Sequence, residues 1–313
     1  MSTTSVTMTH PSDTAAPAER KPRDDEIDVY GVTHKGNVRV ENQDHFLLSS
    51  IYKHVEILST SLSDLQRRPL GDERVAFLAM VADGVGGGEG GEEASATALQ
   101  NALQYVVKSM DCYYRSDASE TAFINALQET AEACHRAVLA RAREEGVEGT
   151  MATTLTLWFG VWPWYYLLQV GDSRYYLWRD GVLTQVSRDQ TIAEELVEKG
   201  VFTRAVASRS QFAHVLSSSI GGDQTMPVVT RLKADWHNVH LLCSDGLTKH
   251  VSDERIAERL ANWTTARETA GLLLQDALDG GGTDNITIIL GRVNPLERRH
   301  DTLDAGQGTR ETD

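Results

Sequence analysis

Short apolar runs surround two long amphipathic patterns in this sequence, and few folds accommodate that arrangement. Apolar residues at steps of three and four predict helices over residues 92–110 and 119–143, one after the other. Short strands are predicted over residues 27–33, 75–82, 153–159, 165–170, 175–178, 239–243 and 286–290. Later helices are predicted over residues 192–199, 253–260 and 268–278. Because strands and helices do not alternate regularly, the pattern favours an α+β fold over a doubly wound parallel sheet.

The chain ends differ in composition from the rest. Residues 1–26 and 295–313 are rich in small polar and charged residues, so we expect two disordered tails around one domain over residues 27–294. No apolar run reaches the roughly 20 residues of a membrane-spanning helix, and no signal-peptide core is visible. The three cysteines form no Cys-x-x-Cys pair, which favours a reducing compartment. We therefore expect a cytoplasmic, monomeric protein with no membrane segment.

The charge of the chain limits its partners. The formal net charge is -15, and no cluster of lysines and arginines interrupts it. Nucleic acid is therefore not an expected partner, because phosphate backbones are bound by clustered basic side chains. An acidic chain can still act on an anionic substrate if bound cations reverse the local field.

Aspartates stand where the predicted strands begin and end. Asp83, Asp172 and Asp245 follow strands closely, whereas Asp44 and Asp284 precede apolar runs. One Asp-Gly after a strand is usually a turn, but five such carboxylates would repel each other if their strands were neighbours. All-oxygen ligands suit hard cations such as Mg²⁺ or Mn²⁺, and two such ions could activate water and hold a phosphoryl oxygen.

Six motifs occur together over residues 39–287. They are RVENQD at 39–44, DGVGG at 83–87, GTMATT at 149–154, GDSR at 171–174, SDGL at 244–247 and GTDNIT at 282–287. In this order they resemble the metal-dependent protein phosphatases, the type 2C serine/threonine class, in its bacterial form. The resemblance implies a four-layer αββα sandwich of two antiparallel sheets flanked by helices, with two or three Mn²⁺ or Mg²⁺ ions at one end.

The resemblance also implies roles for the metal ligands. Asp83 would bridge two ions, and Gly84 would offer its main-chain carbonyl to one of them. Asp245 and Asp284 would bind the other ion. Asp172 would take part in a third, weaker site shared with Asp245.

The remaining implied roles concern water and substrate. Asp44 would hold metal-bound water, assisted by Gln43, and Arg39 would grip the substrate phosphate with its planar fork of donors. Asp44 and Arg39 are therefore the predicted catalytic residues. Gln43 is a departure, because many family members have a glutamate there. Val85 is another, since many eukaryotic members have a histidine at that position.

Val85 leaves the proton donor for the leaving group open. Metal-bound water is the expected donor, and His45 is expected to be structural. Residues 187–223 correspond to the flap beside the active site, which in this family influences substrate choice. Residues 49–74 are interpreted as an insertion, and Arg67 and Arg68 within it are expected to be solvated. Trp158, Trp162 and Trp164, around a probable hairpin tip at Pro163, are expected to pack in the core or at an edge.

The expected function is hydrolysis of phosphoserine and phosphothreonine in proteins, opposing a serine/threonine kinase. Two alternatives stay open. One is a partner-switching phosphatase dedicated to one regulatory phosphoprotein, and the other is a non-catalytic regulator of the same fold.

Overall fold

Two antiparallel sheets form the centre of the molecule. A computed structural model describes residues 20–53, 73–85, 90–109, 120–147 and 149–294. The first sheet has the order β1 (Ile27–His34), β11 (Ile286–Val293), β10 (Val239–Cys243), β7 (Arg174–Arg179) and β8 (Val182–Gln185). The second has the order β2 (Asp44–Lys53), β3 (Glu73–Val85), β5 (Leu155–Val161), β6 (Trp164–Val170) and β9 (Val228–Lys233), and β4 (Ala152–Thr153) pairs with β3.

Helices cover the outer faces of both sheets. Two long helices, α1 (Gly90–Lys108) and α2 (Glu120–Glu145), pack on the second sheet. On the first sheet lie α6 (Asp253–Ala261) and α7 (Ala266–Asp279). Three short helices, α3 (Ile192–Glu198), α4 (Arg204–Ala207) and α5 (Asp245–Thr248), lie in the connections. The predicted α+β class and αββα layering are confirmed.

The layers enclose separate apolar cores. Ala94, Ala98 and Ala102 on α1 are fully buried, and their small side chains leave room for Leu127 of α2 and for the second sheet. Between the sheets, apolar side chains of both inner faces meet; they include Val81, Tyr175, Leu242 and Ile289. Each such side chain contributes about 1.5–3 kcal/mol when fully buried, so the sandwich is a rigid support for groups at its end.

Some strands differ from the prediction. β2 runs from Asp44 to Lys53, so residues 49–53 belong to the sheet and not to an insertion. The rest of that predicted insertion, with Arg67 and Arg68, lies outside the described residues. The predicted strand 153–159 divides into β4 and β5, because the amide of Thr154 donates to the carbonyl of Asp83.

The folded part begins earlier than the predicted boundary at residue 27. The Arg20 and Glu26 side chains pair at 2.5 Å, and Trp236 Nε1 donates to the Arg20 carbonyl at 3.1 Å. Arg74 of β3 contacts Asp24 at 2.7 Å. Residues 20–26 therefore pack on the sandwich, whereas residues 1–19 and 295–313 lie outside the described residues. No helix in the described ranges has the length and apolarity to cross a membrane.

Candidate metal centre

Asp44 and Asp83 face each other at one end of the second sheet, where the antiparallel register pairs them directly. Asp44 is only 3% exposed. Its Oδ2 accepts hydrogen bonds from Ser244 Oγ at 2.7 Å and from Thr287 Oγ1 at 2.8 Å, both from the other sheet. Its Oδ1 is buried, and no hydrogen-bond donor from the described part of the chain reaches it. Burial raises the pKa of Asp44 to about 6, so the free oxygen is a candidate acceptor for a bound water.

The main chain of Asp83 is held on β4 and β5. Its amide donates to Thr154 Oγ1 at 3.0 Å, and its carbonyl accepts from Thr153 Oγ1 at 2.9 Å. Removal from bulk water raises the pKa of Asp83 well above its ordinary value, and the charges of neighbouring carboxylates, Asp44 first, raise it further. The backbone is therefore fixed while the carboxylate lies among like charges.

Gly84 sits where no side chain fits. A Cβ atom there would lie 2.2 Å from the Gly91 carbonyl oxygen and 2.7 Å from that of Gln43. The Gly84 amide donates to the same Gln43 carbonyl at 3.2 Å. The close approach of β3 to the start of α1 therefore requires glycine. Residues 86–88, also glycines, lie outside the described residues.

Asp245 and Asp284 form the other half of the centre, and a lysine lies between them. Lys249 Nζ is 2.6 Å from Asp245 Oδ2 and 2.6 Å from Asp284 Oδ2. Arg39 Nε is 2.8 Å from Asp284 Oδ1. Burial would raise the pKa of Asp284, but the hydrogen bonds and charges of Lys249 and Arg39 hold it below its ordinary value. The negative charges of Asp245 and Asp284 are therefore balanced by Lys249 and Arg39.

Asp172 lies beside Asp245 at the end of β6. It is 7% exposed, and it follows Gly171, which has a φ of +102° that favours glycine. Burial first, and then the charges of Asp245 and Asp189, raise the pKa of Asp172 to about 8. One ligand atom each from Asp172, His214 and Asp245 lies within 4.8 Å of the others. Of Asp172, Asp245 and Asp284, Asp172 is thus the one without a cationic side chain at ion-pair distance among the described residues.

Two groups in the centre were missed from the sequence. Lys249 follows Asp245 by four residues, a spacing that brings side chains together at a helix start. Asn285 holds the loop before β2: its Nδ2 donates to the carbonyls of Lys35 and Glu41, and its Oδ1 accepts from the Gln43 amide at 2.9 Å. A polar residue next to Asp284 at a strand start was the available signal.

His45 and Val85 lie near the two facing aspartates of the second sheet. His45 Nδ1 is 2.9 Å from Ser95 Oγ, which donates to the Gln43 carbonyl at 2.6 Å. This network joins β2 to α1 and gives His45 a structural place. Val85 is exposed and pairs with Ala152.

The donor set fits divalent cations. Asp44, Asp83, Asp172, Asp245 and Asp284 converge from strands of both sheets, as their positions at strand ends predict. Buried carboxylates side by side are costly unless cations lie among them. Their oxygens, with the Gly84 carbonyl, are the ligands that Mg²⁺ and Mn²⁺ prefer.

Sequence comparisons agree with this geometry. The family model described as protein phosphatase 2C matches residues 70–289. The serine/threonine protein phosphatase PstP of Mycobacterium tuberculosis is 35% identical over 70% of this chain and 40% of its own length. The serine/threonine phosphatase stp of Listeria innocua is 29% identical over 72% of this chain and 87% of its own length. The chain thus spans less than half the length of PstP.

Solved structures show the same fold. The crystal structure of Mycobacterium tuberculosis PstP/Ppp aligns with a TM-score of 0.68 and 28% identity, covering 86% of this chain and 99% of that one. The catalytic domain of PstP in complex with two manganese ions aligns with a TM-score of 0.66 and 29% identity, with the same coverage.

Proposed function

Since the chain belongs to the protein phosphatase 2C family, as its six motifs indicate, we propose that it is a metal-dependent serine/threonine protein phosphatase. The observation that carries the proposal is the convergence of Asp83, Asp245 and Asp284 at one end of the sandwich. A binding module that had lost catalysis would not need to keep all three carboxylates together against their mutual repulsion.

We propose that the carboxylates hold two ions. Asp83 would serve both ions, the Gly84 carbonyl would bind one, and Asp245 and Asp284 would bind the other. When bound, the ions supply an activated water as nucleophile and neutralise charge on the phosphoryl group. Asp172 contributes to a third, weaker site shared with Asp245. Burial first, and then the charges of neighbouring carboxylates, raise the pKa values of Asp83 and Asp172. These shifts support the arrangement, because a nearby cation would favour the ionised carboxylates.

The chain's own residues orient the water and the substrate. Ser244 and Thr287 fix Oδ2 of Asp44, so that Oδ1 of the same carboxylate would accept a hydrogen bond from the attacking water. Gln43, held by Asn285, lies at the same edge. Arg39 is 54% exposed at the rim of the centre, so its guanidinium can contact the phosphate of an approaching phosphoprotein.

The substrate is expected to be a phosphorylated protein, with a serine/threonine kinase as the opposing enzyme. A monomer in the cytoplasm is the proposed state. The buried free thiols of Cys134 and Cys243 are consistent with a reducing compartment and carry no information on the oligomeric state. A phosphatase dedicated to one regulatory phosphoprotein would share this chemistry and differ only in the surfaces around it.

The test is phosphate release from phosphoserine and phosphothreonine peptides by the full chain with Mn²⁺, with Mg²⁺ and after EDTA treatment. We expect release only with added metal, and a fall of at least about 100-fold in kcat/KM for Asp245→Asn. Asp180→Asn is the matched control, because Asp180 is exposed in the β7–β8 turn. No release with either metal, or an Asp245→Asn variant as active as wild type, would contradict the proposal.

A further inference from the structure

His214 brings an imidazole to the metal centre from the flap, residues 187–223. Its Nδ1 lies 3.9 Å from Asp245 Oδ2, and its candidate ligand atom lies within 4.8 Å of those of both Asp172 and Asp245. An open cleft lined by Thr191, Ala213 and Lys249 leads to this group from solvent. The three side chains therefore form a candidate mixed nitrogen–oxygen site with an entry path.

The main chain around His214 is pinned to the start of α3. The Ile192 amide donates to the Val215 carbonyl at 2.8 Å, and the Ala193 amide donates to the Phe212 carbonyl at 3.3 Å. These bonds hold the chain on both sides of His214. The ring is 65% exposed, so it can turn toward an ion without repacking the core.

Asp172 independently points to a cation at this place. It is more than nine-tenths buried, and its carboxylate makes no hydrogen bond or ion pair with another of the described residues, so the charge of Lys249 acts on it only from a longer distance. Lys249 forms ion pairs with Asp245 and Asp284 but not with Asp172. A buried carboxylate beside a second one is destabilising without a positive partner. A cation bound on the side of Asp172 that faces the cleft would compensate its charge.

We propose that His214 is the nitrogen ligand of an ion that it holds with Asp172 and Asp245, and that this position takes Mn²⁺ or another transition metal in preference to Mg²⁺. The proposal rests on the proposed function, because Asp172 and Asp245 are the residues of its third, weaker site, and it adds a nitrogen ligand to that site. Imidazole suits transition metals, whereas Mg²⁺ prefers oxygen ligands and retains its water. Because Asp172 and Asp245 belong to the strand ends and His214 to the flap, the ion ties the flap to the sandwich.

Pulsed electron paramagnetic resonance of the Mn²⁺-loaded full chain tests the nitrogen ligand directly. We expect ¹⁴N modulation in wild type, and its loss in both His214→Gln and Asp172→Asn. His237→Gln is the matched control, since His237 is exposed and lies 3.2 Å from Asp235 away from the centre. That variant should keep the wild-type modulation.

Calorimetric titration measures the same site. His214→Gln should weaken binding of one Mn²⁺ ion at least about tenfold, the loss that follows even from removing an outer partner of a metal ligand. Titration with Mg²⁺ should differ little between wild type and His214→Gln.

Wild-type protein that releases phosphate with Mn²⁺ but shows no ¹⁴N modulation would overturn the inference and leave the proposed function standing. Modulation that persists in His214→Gln would overturn it as well, because another histidine would then be the ligand. Absence of phosphate release from wild type would instead count against the proposed function.

Discussion

Replacing Asp172 with asparagine should stabilise the metal-free protein. The carboxyl is buried and lies beside Asp245, and no cationic side chain of the described residues forms an ion pair with it. Asparagine has nearly the same shape but carries no charge. In the metal-free state the substitution therefore removes a repulsion and a desolvation penalty, and it leaves the packing in place.

The size of the effect follows from the pKa of Asp172, which burial and the Asp245 charge raise from 3.8 to about 8. A carboxyl whose folded pKa is raised costs stability as pH rises from its unfolded pKa to its folded one, at about 1.4 kcal/mol per pH unit. At pH 7.5 the penalty is up to about 5 kcal/mol. Because the charge of Asp172 interacts with those of several neighbouring carboxylates, part of this penalty is shared, and we expect a gain of about 2–4 kcal/mol.

The assay is urea unfolding at pH 7.5, in EDTA and then with saturating Mn²⁺. In EDTA, Asp172→Asn should unfold at higher urea than wild type, and Mn²⁺ should stabilise wild type more than the variant. Asp180→Asn controls for removal of an exposed carboxylate. An Asp172→Asn variant equal to or less stable than wild type in EDTA would refute the account of repelling carboxylates.

Three other perturbations follow from the same centre. Metal-free protein should melt at a higher temperature at pH 5.5 than at pH 8. The pKa values of Asp44 and Asp172 are raised to about 6 and about 8, so ionising these carboxyls as pH rises destabilises the folded state. Equal melting temperatures at the two pH values would contradict this. Gly246→Ala should lower the free energy of unfolding in urea by about 1–3 kcal/mol, since a Cβ would lie 1.9 Å from the Asn285 carbonyl oxygen. Gly271→Ala is the control, because nothing lies within 4 Å of a Cβ there, and it should not destabilise the protein. Lys249→Gln should lower stability in EDTA, because it removes the ion pairs with Asp245 and Asp284. The same variant should bind Mn²⁺ more tightly in calorimetry, because a bound ion would no longer displace the ammonium. Weaker binding would show that Lys249 supports the ions instead.

Most helices and strands of the fold could be predicted because their pattern is local, whereas the αββα layering followed from the family resemblance. The alanine and leucine stripe of α1 and the apolar runs of β3, β6 and β10 each report their own buried face. By contrast, β8 and β9 are not among the predicted strands. Both lie at sheet edges, and their residues are exposed or half-buried with no continuous apolar run. Such edge strands gain their structure from pairing with a neighbour, which a single segment does not reveal.

The site shows the same division. Aspartates next to strands predict convergence, because neighbouring strand ends must meet at one edge of a sandwich. The place of Lys249 between Asp245 and Asp284 depends on contacts across 35 residues of chain, and the clamp of Asn285 on Gln43 spans 242. The spacing of four residues brings Lys249 to Asp245, but the contacts of Lys249 with Asp284 and of Asn285 with Gln43 follow from the tertiary fold. His214 was noted only as part of the flap, since its distance from Asp172 is also a tertiary property.

Calorimetric titration of Mn²⁺ into the EDTA-treated full chain tests most directly whether the convergent aspartates form a metal centre. The account predicts that wild type binds at least two ions and that Asp83→Asn, which removes the bridging carboxylate, loses the tight binding of both. Absence of Mn²⁺ binding by wild type, or a stoichiometry and affinity that Asp83→Asn leaves unchanged, would contradict it.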